Sequence, residues 1–156
     1  MDPETQRKSM RCTYERALCC LRHHPEIWTA YAKYELGPAV PLMSTGARVD
    51  KAAPSRATPS TIEPSRIAKS ILKEGIECNK NSCLLRFALA ELEEEMGCMD
   101  DVLVTLREAV SEIPCGLTFS VYERFVRRTQ GITSARRCLS ETIELRADGS
   151  FNHEVC

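Results

Sequence analysis

The chain has 156 residues, 43% of them apolar, and a formal charge of −1 at neutral pH. That length supports one domain with a real core, and so balanced a charge excludes attraction to nucleic acid or membrane through the overall field. No apolar run approaches bilayer thickness, and the opening residues lack the apolar centre of a signal peptide, so an intracellular chain is expected. Nine cysteines are many for such a chain. None stands in Cys-x-x-Cys spacing, their number is odd, and most fall on or beside apolar helix faces. They are expected as small hydrophobes or neutral thiols that bind no metal and build no disulfide framework.

Apolar spacing predicts a first helix over about residues 5–22, with Met10, Tyr14, Ala17, Leu18 and Leu21 on one stripe. His23-His24-Pro25 ends it, because a residue preceding proline is pushed out of the helical region. A second helix runs from Pro25 to about Leu36, with Glu26 at its positive end and Gly37-Pro38 as its stop. Residues 37–63 differ in kind. They hold Pro38, Pro41, Pro54 and Pro59 among many Ala, Ser and Thr, with no periodicity, and predict a disordered insertion.

Five more helices follow. The third spans about 64–78, with Ile67, Ala68, Ile71, Leu72 and Ile76 inward; the fourth spans about 82–96 and stops at Gly97. The fifth, about 100–112, opens on two acids and breaks at Pro114. The sixth, about 116–129, carries Phe119, Tyr122, Phe125 and Val126 and ends at Gly131. The seventh starts near Thr133 and uses Ala135, Cys138, Leu139 and Ile143, with residues 148–156 as a flexible tail. The organisation expected is a helix pair at 5–36, the insertion at 37–63, and further repeats at 64–147.

Two motifs alternate along these helices. Helices two, four and six carry a large apolar residue, an aromatic three on, and a polar or small residue four further: Trp28-Tyr31-Glu35, Leu84-Phe87-Glu91 and Phe119-Tyr122-Val126. Such steps place all three on one helix face. The odd-numbered helices carry a large residue, a small one and an aliphatic: Tyr14-Ala17-Leu18, Leu72-Gly75-Ile76, Leu106-Ala109-Val110 and Leu139-Thr142-Ile143. The small residue lets paired helices approach closely. Repetition at this period predicts an all-α fold, an α-solenoid of antiparallel helix pairs with about seven helices.

Trp-x-x-Tyr-x-x-x-Glu beside Tyr14-Glu15-Arg16-Ala17-Leu18 resembles the half-a-tetratricopeptide (HAT) repeat of RNA-processing proteins, a relative of the tetratricopeptide repeat. His23-His24-Pro25-Glu26-Ile27-Trp28 and the run Phe125 to Arg136 resemble, more narrowly, the suppressor-of-forked family, which supplies the large HAT subunit of cleavage stimulation factor. Splicing factors of the crooked-neck type share the repeat motifs. There are departures: Leu84 and Phe119 stand where tryptophan is typical, Val126 where glutamate is, and Leu72, Leu106 and Leu139 where tyrosine is. The resemblance implies a nuclear, non-catalytic scaffold in mRNA 3′-end processing and polyadenylation. Its partners would be other cleavage and polyadenylation factor subunits, with homodimers of the full-length protein and only indirect or weak RNA contact. The family protein is several times longer, so this chain is expected to be a fragment of it.

No residues assemble into a nucleophile–base set, and no phosphate loop is present, so no catalytic or cofactor site is expected. His23 and His24 are adjacent and cannot face one metal from one turn; they are expected as a polar corner. The acidic run Glu91, Glu93, Glu94 and Glu95 is expected as a solvated face. Arg124, Arg127, Arg128, Arg136 and Arg137 form a local basic cluster and are the candidate interaction residues. A guanidinium suits carboxylates as well as phosphates. No aromatic residues interleave with them as a single-strand groove requires, which favours a protein partner or a neighbouring repeat over RNA.

Overall fold

The computed structural model describes residues 2–37 and 59–147. They form seven helices and, among the described residues, no strand: α1 (Pro3–Leu21), α2 (Pro25–Leu36), α3 (Pro59–Cys78), α4 (Cys83–Glu95), α5 (Met99–Glu112), α6 (Gly116–Gln130) and α7 (Ile132–Ala147). The all-α repeat architecture expected from the two motif series is the one adopted. The chain forms two compact units, one up to Met99 and one from Asp100 onward.

In the first unit, short turns fold α1 on α2 and α3 on α4, and α2 packs most extensively against α3. Proline opens α1 and α2 where a missing N–H costs no helical bond. One core joins Leu18 of α1, Trp28, Tyr31, Ala32 and Leu36 of α2, Ala68, Ile71 and Leu72 of α3, and Leu85, Ala88, Leu89 and Leu92 of α4. Tyr14 stacks on Tyr31 with centroids 4.9 Å apart and planes 10° off parallel. Met10 and Leu21, on the expected inner stripe of α1, are exposed.

Helix α3 begins at Pro59, five residues before its expected start, and so takes in residues assigned to the insertion. Pro64 therefore lies inside the helix. It removes one backbone bond in the second turn, where the fixed φ of proline still suits a helix. The remainder of the expected insertion, 38–58, and the tail, 148–156, lie outside the described residues.

Helix α4 ends as its sequence demands. Cys98 N–H donates to Glu93 O at 2.9 Å and Gly97 N–H to Glu94 O at 3.0 Å, a Schellman closure. Gly97 takes φ +78°, which a side chain would make costly.

In the second unit, Val102, Leu106 and Ala109 of α5, Phe119, Tyr122, Phe125 and Val126 of α6, and Ala135 and Cys138 of α7 are buried. α6 packs along α7. Leu139, expected inward, is 47% exposed. Cys115 is disulfide-bonded, which corrects the expectation that the cysteines are unlinked hydrophobes. Burial pushes the thiols of Cys83 and Cys138 up, which keeps them protonated and poor nucleophiles.

Candidate functional site: a repeated helix corner and an exposed arginine face

Each turn that leads into an even-numbered helix carries, near its start, a backbone carbonyl that a side chain of the new helix bonds. At the α1–α2 corner, Trp28 Nε1–H donates to Arg22 O at 2.8 Å. Asn79, at the end of α3, donates its side-chain amide to the same oxygen at 2.8 Å. At the α3–α4 corner, Arg86 Nη2–H donates to Lys80 O at 3.3 Å. At the α5–α6 corner, the Thr118 hydroxyl lies 2.7 Å from Ile113 O. The accepting residues 22, 80 and 113 each stand six positions before Trp28, Arg86 and Phe119. Phe119 has no side-chain N–H to offer, and its neighbour Thr118 supplies the donor instead. The same hydroxyl accepts from Cys115 N–H at 3.2 Å, which also closes the start of α6.

A second set of bonds repeats with the first. Arg11 clamps the Glu35 carboxylate with two bonds, both 2.7 Å, and the Glu35 side chain is 2% exposed. Lys69 Nζ lies 3.0 Å from Glu93 Oε1, and Glu93 is also 2% exposed. Residues 11 and 69, 28 and 86, 31 and 89, and 35 and 93 are each 58 apart. Tyr14 and Leu72 keep the same interval. The structure thus places the second copy of the motif at Arg86, Leu89 and Glu93, two residues beyond Leu84, Phe87 and Glu91. Those three are only half-buried, whereas Arg86, Leu89 and Glu93 are buried. Moving on 33 residues from this corrected copy reaches Phe119, Tyr122 and Val126, the third copy as the sequence aligns it. Here the carboxylate has become Val126, 3% exposed. The position that matches Lys69 on the odd helices, by the 34-residue step from Leu72 to Leu106, is Leu103. In the third copy the ion pair is replaced by two aliphatic residues.

The corner also explains the small residue of the odd-numbered helices. A Cβ on Gly75 would lie 2.9 Å from Trp28 Cγ and 3.1 Å from Trp28 Cβ, so only glycine admits the indole there. Here a glycine in mid-helix serves close approach.

Arg124, Arg127, Arg128, Arg136 and Arg137 are all exposed. Arg128 carries its guanidinium 5.6 Å above the centre of the Phe125 ring. Phe125 does stand between Arg124 and Arg127, contrary to the expectation of no interleaved aromatic. It is 4% exposed, however, so it anchors the helix and offers no free face to a base. His23 and His24 are exposed. Among the described residues, no three His, Cys, Asp or Glu side chains come together to hold a metal, and no helix is long and apolar enough to cross a membrane.

A family model described as Suppressor of forked protein (Suf) matches residues 1–155. The chain belongs to the suppressor of forked family. It is 23% identical over 137 residues to cleavage stimulation factor subunit 77 of Arabidopsis thaliana, a match that takes in 88% of this chain. The chain spans about 15% of the length of that relative. Within this suppressor of forked chain, sequence reasoning missed Arg11, Lys69, Arg86, Glu93 and Thr118. The signal that points to four of them is the interval itself. The odd-helix motif recurs after 58 residues, whereas matching residue types sets the even-helix motif at 56. Two helices held in register as a pair recur at nearly the same interval, so a two-residue disagreement marks a misplaced copy.

Proposed function

We propose that this chain acts as a non-catalytic scaffold in nuclear mRNA 3′-end processing. In this reading it holds together subunits of the cleavage and polyadenylation machinery by protein–protein contact. The full-length proteins of its family would dimerise, and RNA would be touched indirectly or weakly. Support comes from family membership together with one observation: the recurring roles of the corner go to packing and register, and none leaves a reactive group in a site. Within the first unit, helix pairs held in register by corner bonds and buried ion pairs fix the distances between the surfaces they present to partners. The exposed arginines of α6 and α7 are the contact surface of this reading, taking carboxylates of a partner or neighbouring repeat.

A second reading is favoured by the same arginines: direct binding of RNA phosphates. The two separate in one experiment. Arg127→Glu with Arg128→Glu is assayed for association with the other cleavage-factor subunits, and for RNA binding at several salt concentrations. The scaffold reading expects lost association. Lost RNA affinity with association intact, and a steep fall of parental RNA affinity with salt, would replace it by the second.

A further inference from the structure

A cleft of about 410 Å³ opens between α1 and α3, with α2 as its floor. Trp28 and Tyr31 line the floor, Leu18 and Ile71 the flanks, and Glu15 and Glu74 contribute carboxylates from opposite helices. Arg22 is the one basic residue among those lining it, so two carboxylates face one guanidinium. Neither Glu15 nor Glu74 makes an ion pair among the described residues. Tyr31 registers the resulting field. Its hydroxyl is pushed up, first by burial and then by Glu15, with Glu35 and Glu74 adding to the shift against Arg11.

We propose that this cleft receives a lysine or arginine side chain projecting from a protein partner. Each part of the cleft matches a part of that side chain. The methylene stem lies along Leu18 and Ile71, as long basic side chains do on apolar surface. The cationic head meets the two carboxylates, Glu15 and Glu74, which lie exposed on opposite helices. The volume lies in the range of sites that enclose a small group. The sign of the charge rejects the RNA backbone, which brings phosphates. The proposal rests on the scaffold reading, since it names the chemistry of a protein contact. The charge reversal at Arg127 and Arg128 leaves the cleft intact, so the two readings fail separately.

The chain has a single tryptophan, Trp28, and it lies in the cleft, so its fluorescence reports occupancy. The probe is a tetra-arginine peptide, acetylated at its N-terminus and amidated at its C-terminus, titrated into the full 156-residue chain. A saturable change in Trp28 emission is expected, about tenfold weaker in affinity for Glu15→Gln with Glu74→Gln. The same peptide with citrulline in place of arginine should give no saturable change. Circular dichroism equal to the parent verifies that the double variant is folded. Glu108→Gln with Glu112→Gln, two carboxylates outside the cleft, should bind as the parent does. Absence of a saturable response overturns the proposal, as does unchanged affinity in the variant that lacks both cleft carboxylates. An equal response to the citrulline peptide or to poly(U) overturns it too.

Discussion

The helix pairs α1–α2 and α3–α4 have the same skeleton and different chemistry. Both bury a glutamate at the same position, and both pair it with a cation 24 residues earlier: Arg11 with Glu35, Lys69 with Glu93. Both satisfy a carbonyl near the start of the turn from a side chain six residues on, Trp28 in one and Arg86 in the other. What repeats is therefore a role, namely a donor to a carbonyl or a cation for a buried carboxylate. The residue type filling that role is free to change. The third copy extends the lesson. Thr118 donates in place of the missing indole, and Leu103 with Val126 fill the places of the ion pair.

The sharpest way to break the first pair is Trp28→Ala. It removes a side chain 4% exposed and leaves Arg22 O with one donor fewer. A loss of about 3–5 kcal/mol is expected, read as a fall in the urea midpoint with unchanged slope. A midpoint within error of the parent would mean that the indole is not the keystone of this corner.

Next in size is the ion pair of the second pair of helices. Lys69→Ala withdraws the 3.0 Å partner of a carboxylate 2% exposed. Breaking a buried pair by deleting one member costs about 3 kcal/mol or more, whereas replacing both members by apolar residues is close to neutral. Lys69→Leu with Glu93→Val gives the second copy the third copy's chemistry. It should recover most of the loss and lie within about 1 kcal/mol of the parent. If the double variant is as unstable as Lys69→Ala, the two copies are not interchangeable at this position.

Gly75→Ala tests the close approach from the other side. Alanine favours a helix by up to about 1 kcal/mol over glycine, but overpacking costs about 1–3 kcal/mol. The added carbon would meet the root of Trp28 at 2.9 Å, where the side chain has least freedom to move, so the cost wins. A net loss of about 1–2 kcal/mol is expected. In a Trp28→Leu background the same change should be neutral or stabilising.

How much of this is legible in the sequence differs between the two pairs. The helices, their stops at Gly37, Gly97 and Gly131, and the burial of Trp28 and Tyr31 all follow from spacing, because each rests on one residue type with one physical preference. The second copy falls out of register because Leu84, Phe87 and Glu91 imitate the expected types, while Arg86 places a charge where an indole is typical. Type-matching favours the imitation; the 58-residue interval of the odd helices is the sequence signal against it, and the bonds to Lys80 O and Lys69 settle the register. The start of α3 lies five residues before its expected place because Pro59 opens the helix, and Pro64, an equally good opener by type, sits within it. The cleft between α1 and α3 is not legible at all. Glu15 and Glu74 lie on different helices, and no sequence interval announces that they face one space.

The smallest expected effect sharpens the comparison most. Arg86 is 5% exposed, its Nη2 bond to Lys80 O is long at 3.3 Å, and its Nε has no hydrogen-bond partner among the described residues. A buried N–H without a partner carries a desolvation cost of about 1–3 kcal/mol, and a buried cation without a carboxylate adds to it. Trp28 performs the same task with one neutral donor at 2.8 Å. Arg86→Trp should therefore hold the carbonyl while removing both the orphaned N–H and the charge. Against that gain stands the bulk of the indole, since overpacking costs about as much as the N–H returns. The flexible arginine already fills a long, buried slot, so the gain should exceed the strain by about 1 kcal/mol, read as a rise in the urea midpoint. A clear fall would mean that the space around Arg86 is shaped for a guanidinium. The second copy would then have diverged in form as well as in chemistry.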